Sequence, residues 1–127
     1  MGIDAEPDEE LPPGVLEKVA VAQEQAWLST ARPGIHWDRL LFSAKECVFK
    51  AWFPLARDWL DFDQAVVSFH PIECTFEARL LVPLPAAFGG DLEFLTGRFL
   101  VRDGLLLTAI VIRQRECGAS TVLSEGV

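Results

Sequence analysis

The chain has 127 residues, of which 50% are hydrophobic, with 19 acidic and 11 basic side chains and a formal net charge of −8. This length suits one domain with a modest core, and the nine Phe and four Trp exclude a disordered chain. The negative charge argues against nucleic acid as a partner, because phosphate binding needs a concentrated basic surface.

Membrane and secreted classes are also disfavoured. No apolar run reaches the roughly 18 to 20 residues that span a bilayer, and the first ten residues lack the basic start and apolar core of a signal peptide. The cysteines Cys47, Cys74 and Cys117 are odd in number and widely spaced, so they form neither a disulfide framework nor a metal-finger pattern. We therefore expect a cytoplasmic protein without a membrane partner.

The opening GIDAEP, residues 2–7, is predicted to be a short strand, because Ile3 and Ala5 alternate with Asp4 and Glu6. Side chains two apart on a strand point to the same face, so the two carboxylates are expected to lie together. They are either solvated acids near a terminus or part of a site for a hard cation such as Mg²⁺. The DEELPPG that follows is predicted to be a loop.

Two helices are expected next. An apolar side predicts a helix over residues 15–29, and ARPG at 31–34 ends it. A second helix begins near His36 or Asp38, either of which is a candidate cap. Its apolar stripe recurs at steps of three and four residues: Trp37, Leu41, Ala44, Val48, Trp52, Leu55 and Trp59. Pro54 predicts a break, with a short second segment to about Leu60.

The remaining segments are rich in β-branched and aromatic residues and are predicted to be strands: residues 65–70, 74–82, 92–101 and 105–113. Arg102-Asp103-Gly104 between the last two is a tight hairpin signal. The order of a strand, two main helices and then antiparallel strands predicts the α+β class. We expect one domain over residues 1–113 and a flexible tail over 114–127.

The second helix carries three charges beside its apolar stripe. Glu46 and Lys50 are four residues apart and are therefore neighbours on one face. Lys45 is expected next to that face, nearer its edge. The spacing alone is that of an ordinary exposed Glu–Lys pair, whereas a carboxylate and lysines facing the strand acids would complete a site for a phosphate-bearing ligand.

The segments GIDAEP and WDRLLFSAKECVFKAWF resemble, in order and spacing, the two signature motifs of 4′-phosphopantetheinyl transferases. The resemblance is greatest to the Sfp type, whose helix motif reads approximately W/F-S-x-K-E-x-x-x-K and matches Phe42 to Lys50. LPPGVL and KAWFP add to it, and the resemblance spans residues 2–113.

The resemblance implies a phosphopantetheinyl transferase-like α+β half and a reaction. Enzymes of this family move the phosphopantetheine arm of coenzyme A to a serine of an apo acyl or peptidyl carrier protein, with Mg²⁺, and release 3′,5′-ADP. By position, Asp4, Glu6 and Glu46 match the metal-binding acids. Lys45 and Lys50 match lysines associated with the coenzyme A phosphates, which makes Glu46, as general base, and Lys50 the catalytic candidates.

Sfp-type enzymes consist of two similar halves with the site between them, and this sequence resembles the second half alone. Three accounts follow: a half that needs the missing N-terminal half, a self-associating enzyme like the holo-acyl-carrier-protein synthases, or a non-catalytic domain that binds the carrier protein or coenzyme A. Retention of the acids and lysines counts against the last. Phe42, Phe49 and Phe53 are the expected exposed apolar surface that a partner would cover.

Overall fold

The computed structural model describes residues 1–82 and 94–112. It confirms the α+β class: a five-stranded antiparallel sheet carries helices on one face. The elements in chain order are β1 (Gly2–Pro7), α1 (Leu16–Val19), α2 (Ala22–Leu28), α3 (Trp37–Ala56), a 3-10 turn (Phe62–Gln64), β2 (Ala65–His70), β3 (Thr75–Leu80), β4 (Phe94–Arg102) and β5 (Leu105–Ile110).

The sheet has the strand order β1-β5-β4-β3-β2, so the first strand of the chain pairs with the last. Asp4 lies opposite Thr108 in this register. The predicted hairpin between β4 and β5 is confirmed, with positive φ angles of 53° at Asp103 and 79° at Gly104. An Asp-Gly pair is suited to this turn, because both central residues of such a hairpin need left-handed backbone.

Helix α3 packs across the inner face of the sheet, and buried Ala44 and Val48 form part of the contact. β1 approaches α3 so closely that a Cβ atom on Gly2 would overlap the carbonyl oxygen of Cys47. The Cys47 thiol donates a hydrogen bond to the Gly2 carbonyl oxygen at 3.1 Å. Glycine at position 2 therefore sets the spacing between the two elements that carry the candidate site.

The predicted break at Pro54 is wrong, because α3 continues through Pro54 to Ala56 and ends at Arg57, which has left-handed backbone. Pro54 lies in the last turn, and the missing amide would have bonded to the carbonyl of Lys50 on the exposed side of the helix, where water can take its place. The apolar stripe ends with the helix: Trp59 is 78% exposed. The side chain of Leu55 lies outside the described residues.

The single helix predicted over 15–29 is instead two short helices, α1 and α2, separated by extended backbone at Ala20 and Val21. The buried Glu24 side chain accepts a hydrogen bond from the Val21 amide at 2.9 Å, which caps the start of α2. This cap and the ion pair that Glu24 forms with buried Lys45 favour the start of a new helix over continuation of α1.

The remaining predictions hold in part. β1 and β2 have the predicted bounds, whereas β3 is shorter than residues 74–82. β5 ends at Ile110, before the end predicted at 113, whereas the predicted strand residues 92–93 and the predicted tail at 114–127 lie outside the described residues. Of the aromatic residues expected to be exposed, Phe42 and Phe49 instead pack on Phe62, and only Phe53 is exposed, against Trp59.

Candidate acidic site between the first strand and the long helix

The alternation predicted for β1 places both strand acids on the face toward α3. Asp4 is buried, with 6% of its surface exposed, and Glu6 is half-buried, whereas Ile3 and Ala5 point away from the helix. The strand is therefore reversed relative to an ordinary amphipathic strand, with carboxylates inside and apolar side chains outside. Such a reversal needs a compensating partner or ligand for the buried charge.

Asp4 has a partner for only one of its two carboxylate oxygens. The ammonium group of Lys50 donates to Asp4 Oδ1 at 2.8 Å and to the carbonyl oxygen of Ile3 at 3.2 Å. This ion pair holds the pKa of Lys50 above its ordinary value, chiefly through the hydrogen bond to Asp4. Asp4 Oδ2 is buried and finds no hydrogen-bond partner among the described residues.

Glu46 belongs to the same cluster. Partial burial raises the pKa of its carboxyl group, the negative charge of Asp4 raises it further, and the positive charge of Lys50 opposes both. The predicted neighbourhood of Glu46 and Lys50 is therefore confirmed, and both residues face the buried strand acid. This arrangement differs from a simple exposed Glu–Lys pair, because a third, buried charge, that of Asp4, interacts with both residues.

Glu6 is held by a residue that the sequence analysis did not single out. Arg39 donates to Glu6 Oε1 at 3.2 Å and to the backbone carbonyls of Glu9 and Glu10. The pKa of Glu6 is nevertheless raised, first by burial and then by the charge of Asp4, with the Arg39 contact acting in the opposite direction. Arg39 thus fixes both the second strand acid and the loop that follows it.

Lys45 lies elsewhere, and its expected position at the edge of the Glu46–Lys50 face is wrong. Its side chain is completely buried and bonds to Glu24 on the side of α3 away from β1. Burial lowers the pKa of Lys45, and the Glu24 carboxylate opposes the shift. Its sequence neighbour Glu46 is 100° further around the helix, which is sufficient to separate a core position from the acidic site.

The start of α3 is fixed without the expected side-chain cap, since neither the His36 side chain nor the Asp38 side chain bonds to the first amides of the helix. Asp38 accepts a hydrogen bond from the Leu11 amide, and Asp8 bonds to both the backbone and the ring of His36. The hydrogen bond that the His36 ring donates to the Asp8 carboxylate raises the pKa of His36. These contacts tie the loop after β1 to α3 beside the acids.

Cys47 is not a nucleophile candidate, because burial raises the pKa of its thiol to about 11. Within residues 1–82 and 94–112, no three Asp, Glu, His or Cys side chains stand close enough together to hold a metal ion. The assignment of Mg²⁺ to Asp4, Glu6 and Glu46 therefore remains a prediction. The unpartnered Asp4 oxygen fits it, because a cation there would satisfy that oxygen and offset the repulsion of Asp4 with Glu6 and with Glu46.

A family comparison bears on this arrangement. Residues 1–82 match the model of the 4′-phosphopantetheinyl transferase superfamily. This range contains β1, α3 and every residue of the acidic site. The chain belongs to this superfamily.

Three curated relatives carry the same family name. The chain is 51% identical over 115 residues to the 4′-phosphopantetheinyl transferase Svp of Streptomyces mobaraensis, covering 88% of this chain and 47% of that protein. It is 45% identical to Npt of Nocardia iowensis and 43% identical to PptT of Mycobacterium tuberculosis, both also named 4′-phosphopantetheinyl transferases, over 87% and 88% of this chain and 53% and 52% of theirs. The chain thus spans about half the length of these relatives.

None of the helices in residues 1–82 and 94–112 is both long and apolar enough to cross a membrane.

Proposed function

We propose that this chain is the half of a 4′-phosphopantetheinyl transferase that binds Mg²⁺ and transfers the phosphopantetheine arm of coenzyme A to a serine of an apo acyl or peptidyl carrier protein. The observation that carries the proposal is the buried Asp4 carboxylate, which has one oxygen on Lys50 and the other unpartnered. A buried charge contributes little to the stability of a fold, whereas buried charged groups are typical of functional sites.

Asp4, Glu6 and Glu46 would hold the metal. Mg²⁺ favours a few carboxylates together with water and substrate phosphate oxygens, so an incomplete set of protein ligands is expected of such a site. When bound, the ion would neutralise the pyrophosphate of coenzyme A. The raised pKa values of Glu6 and Glu46 support the assignment, because a nearby cation would relieve the repulsion from Asp4 that contributes to both shifts.

In the reaction, the serine oxygen would form a bond to the β-phosphorus of coenzyme A as the bond from that phosphorus to the bridging oxygen breaks. The products would be the phosphopantetheinyl serine and 3′,5′-ADP. Glu46 would accept the serine proton as general base. Lys50, half-exposed beside Asp4, would contact the phosphates and stabilise charge on the leaving group.

The proposal includes a second half of the enzyme, and an exposed apolar face of the sheet is suited to contact it. The face of β1, β5 and β4 that points away from α3, here called the outer sheet face, is largely apolar. Its apolar members are Ile3, Ala5, Pro7, Leu100, Leu105, Leu107, Ala109 and Val111, and Arg98 and Arg102 of β4 lie on the same face. Ile3 and Val111 are each 56% exposed, and contiguous exposed apolar patches mark interfaces.

We assign this outer sheet face to the missing half of the enzyme, because the relatives are about twice as long as the matched region. Charge gives the same indication. A chain of net charge −8 meets an anionic cofactor unfavourably, and a basic second half would offset that repulsion.

The test is the mass of an apo acyl carrier protein after incubation with coenzyme A, Mg²⁺ and this chain, alone or with a separately made first half. We expect a phosphopantetheine-sized mass gain only when both halves are present, and its loss on addition of a chelator. A gain with this chain alone would instead favour self-association. No gain under either condition would contradict the transferase proposal and favour the non-catalytic binding domain.

A matched control separates the outer sheet face from the chemistry. Leu105→Thr on this face should weaken association with the first half, and more of that half should restore transfer. Thr is a strand former, so the fold of β5 is expected to survive. If Leu105→Thr associates as tightly as the unaltered chain, the assignment of this face is wrong, whereas the transfer reaction itself is unaffected by that result.

A further inference from the structure

Lys45 and Glu24 form an ion pair in the core, with 0% and 1% of their side chains exposed. The Lys45 ammonium group donates to Glu24 Oε1 at 2.8 Å and to the backbone carbonyls of Val19 at 2.8 Å and Phe62 at 2.6 Å. An ammonium group has three hydrogens, so these three acceptors use its whole donor capacity. A bound phosphate would have to displace one of them.

Both carboxylate oxygens of Glu24 also accept hydrogen bonds from backbone amides. Its Oε1 also accepts from the Val21 amide at 2.9 Å, and Oε2 accepts from the Val67 amide at 2.7 Å. The pair therefore connects five parts of the fold: the end of α1, the start of α2, the 3-10 turn, β2 and α3. A buried ion pair adds little to stability unless its hydrogen bonds are satisfied. In this pair they are satisfied, and each hydrogen bond joins two different elements of the fold or caps one of them.

The pair lies opposite the sheet contacts of α3. Ser43 and Cys47 are each 200° around the helix from Lys45 at 100° per residue, which places them on its far side. Ser43 shares a hydrogen bond with Thr108 at 2.9 Å, and Cys47 donates to the Gly2 carbonyl. Directional bonds thus hold α3 from two opposite sides, and Glu46 and Lys50 lie at the edge between them, toward β1.

We propose that Glu24 and Lys45 are positioning residues: their ion pair fixes the rotation of α3 about its axis, which directs Glu46 and Lys50 toward Asp4, and Lys45 does not contact a phosphate. Apolar contacts such as those of Ala44 and Val48 favour burial without fixing an angle. The ion pair does fix one, because each of its hydrogen bonds fails when the helix turns.

The first experiment measures urea unfolding of this chain for Lys45→Met, Glu24→Gln and the double variant. Each single variant leaves a buried charge without its partner, so the folded-to-unfolded ratio should fall more than about a hundredfold, and the double variant should recover most of that loss. Lys18→Met, at an exposed lysine of α1, is the control and should not shift the midpoint. Additive losses in the double variant would overturn the ion pair.

The second experiment separates positioning from stability and needs no enzyme activity. The coupling between Asp4→Asn and Lys50→Met is measured by unfolding in the unaltered chain and in the Glu24→Gln/Lys45→Met background. In the unaltered chain, the effects of Asp4→Asn and Lys50→Met on the folded-to-unfolded ratio should depart from additivity by at least about threefold. In the Glu24→Gln/Lys45→Met background, this coupling should be lost. An unchanged coupling, or none in the unaltered chain, would overturn the positioning role.

The third experiment rests on the proposed function. With both halves and a carrier protein, Lys50→Met should raise the KM for coenzyme A. The double variant Glu24→Gln/Lys45→Met should lower kcat about tenfold or more and should raise that KM no further when it is added to Lys50→Met, because it acts through Lys50. A further rise of the KM in the Lys50→Met background would assign Lys45 to the phosphates and overturn the inference. Absence of transfer by the unaltered enzyme contradicts the proposed function alone, because the two unfolding experiments still decide this inference.

Discussion

The Lys50 ammonium group lies 2.8 Å from one oxygen of the buried Asp4 carboxylate, and the other oxygen has no partner in the described parts of the chain. One lysine therefore neutralises a strand acid that two further acids, Glu6 and Glu46, also approach. The cluster carries excess negative charge in a partly desolvated place. A divalent cation would offset that excess, and this consequence can be measured without any transfer reaction.

Mg²⁺ should raise the urea midpoint of the chain at neutral pH, because an ion that binds only the folded state stabilises it by an amount that grows with the logarithm of one plus the ratio of ion concentration to Kd. Asp4→Asn should abolish most of this response, since it removes the carboxylate proposed as the central ligand. The comparison is made at constant ionic strength. Asp103→Asn is the control, at an exposed carboxylate in the β4–β5 turn. An equal Mg²⁺ response in Asp4→Asn would refute Asp4 as a ligand.

Glu46→Gln should leave the metal-free chain folded and more stable at pH 7 than the unaltered chain. The pKa of Glu46 is raised above its ordinary value of 4.5 in the folded state. The folded chain therefore binds the proton more tightly than the unfolded chain, and that contribution is present below about pH 4.5 and lost as the pH rises through the raised pKa. Gln is neutral at every pH, so the stability difference should vanish near pH 4.

The same variant tests the chemistry in the two-half enzyme. Loss of the proposed general base and metal ligand should slow transfer at least about a hundredfold. The readouts are urea unfolding at pH 7 and pH 4 and the mass of the carrier protein. Transfer at the unaltered rate would exclude Glu46 from both roles, and a less stable variant at pH 7 would contradict the repulsion from Asp4.

Much of this arrangement is predictable from local spacing. The period of two in GIDAEP is sufficient to place Asp4 and Glu6 on one face, and the four-residue step is sufficient to pair Glu46 with Lys50. These rules hold because strand and helix geometry are fixed by the backbone. Which face of β1 would be buried is not local information, since it depends on α3 packing against that side.

Lys45 shows where local spacing fails. Its burial depends on Glu24, which comes 21 positions earlier in the chain. The break between α1 and α2 has the same cause, because Glu24 caps α2 while it pairs with Lys45. Only the tertiary contact between Glu24 and Lys45 shows that the burial of Lys45 and the break between the two helices have one cause. The role of Arg39 was missed for a similar reason, since an arginine on a predicted helix is usually solvated.

Arg39→Gln should weaken Mg²⁺ binding about tenfold, a typical effect of removing a residue that orients a metal ligand. Arg39 bonds to Glu6 and to two carbonyls of the following loop, so its loss should leave Glu6 less well placed. The measurement is the Mg²⁺ concentration that gives half of the stabilisation. Arg57→Gln, at an exposed arginine beyond α3, is the matched control. Equal Mg²⁺ dependence of the two variants would contradict a role for Arg39.

Gly2→Ala should disrupt the site from a distance. A Cβ atom at this position would overlap the Cys47 carbonyl oxygen and approach the Ala51 amide nitrogen to 2.9 Å, and both are helix backbone that cannot move aside alone. β1 must therefore shift away from α3, which should cost about 1 to 3 kcal/mol of stability. The same shift moves Asp4 away from Lys50, so the Mg²⁺ response should weaken in proportion.

Ala5→Ser, on the outward face of β1, makes a change of similar size without this contact and should preserve both the stability and the Mg²⁺ response. If Gly2→Ala retains the unaltered midpoint and Mg²⁺ response, close packing of β1 on α3 does not determine the geometry of the acidic site.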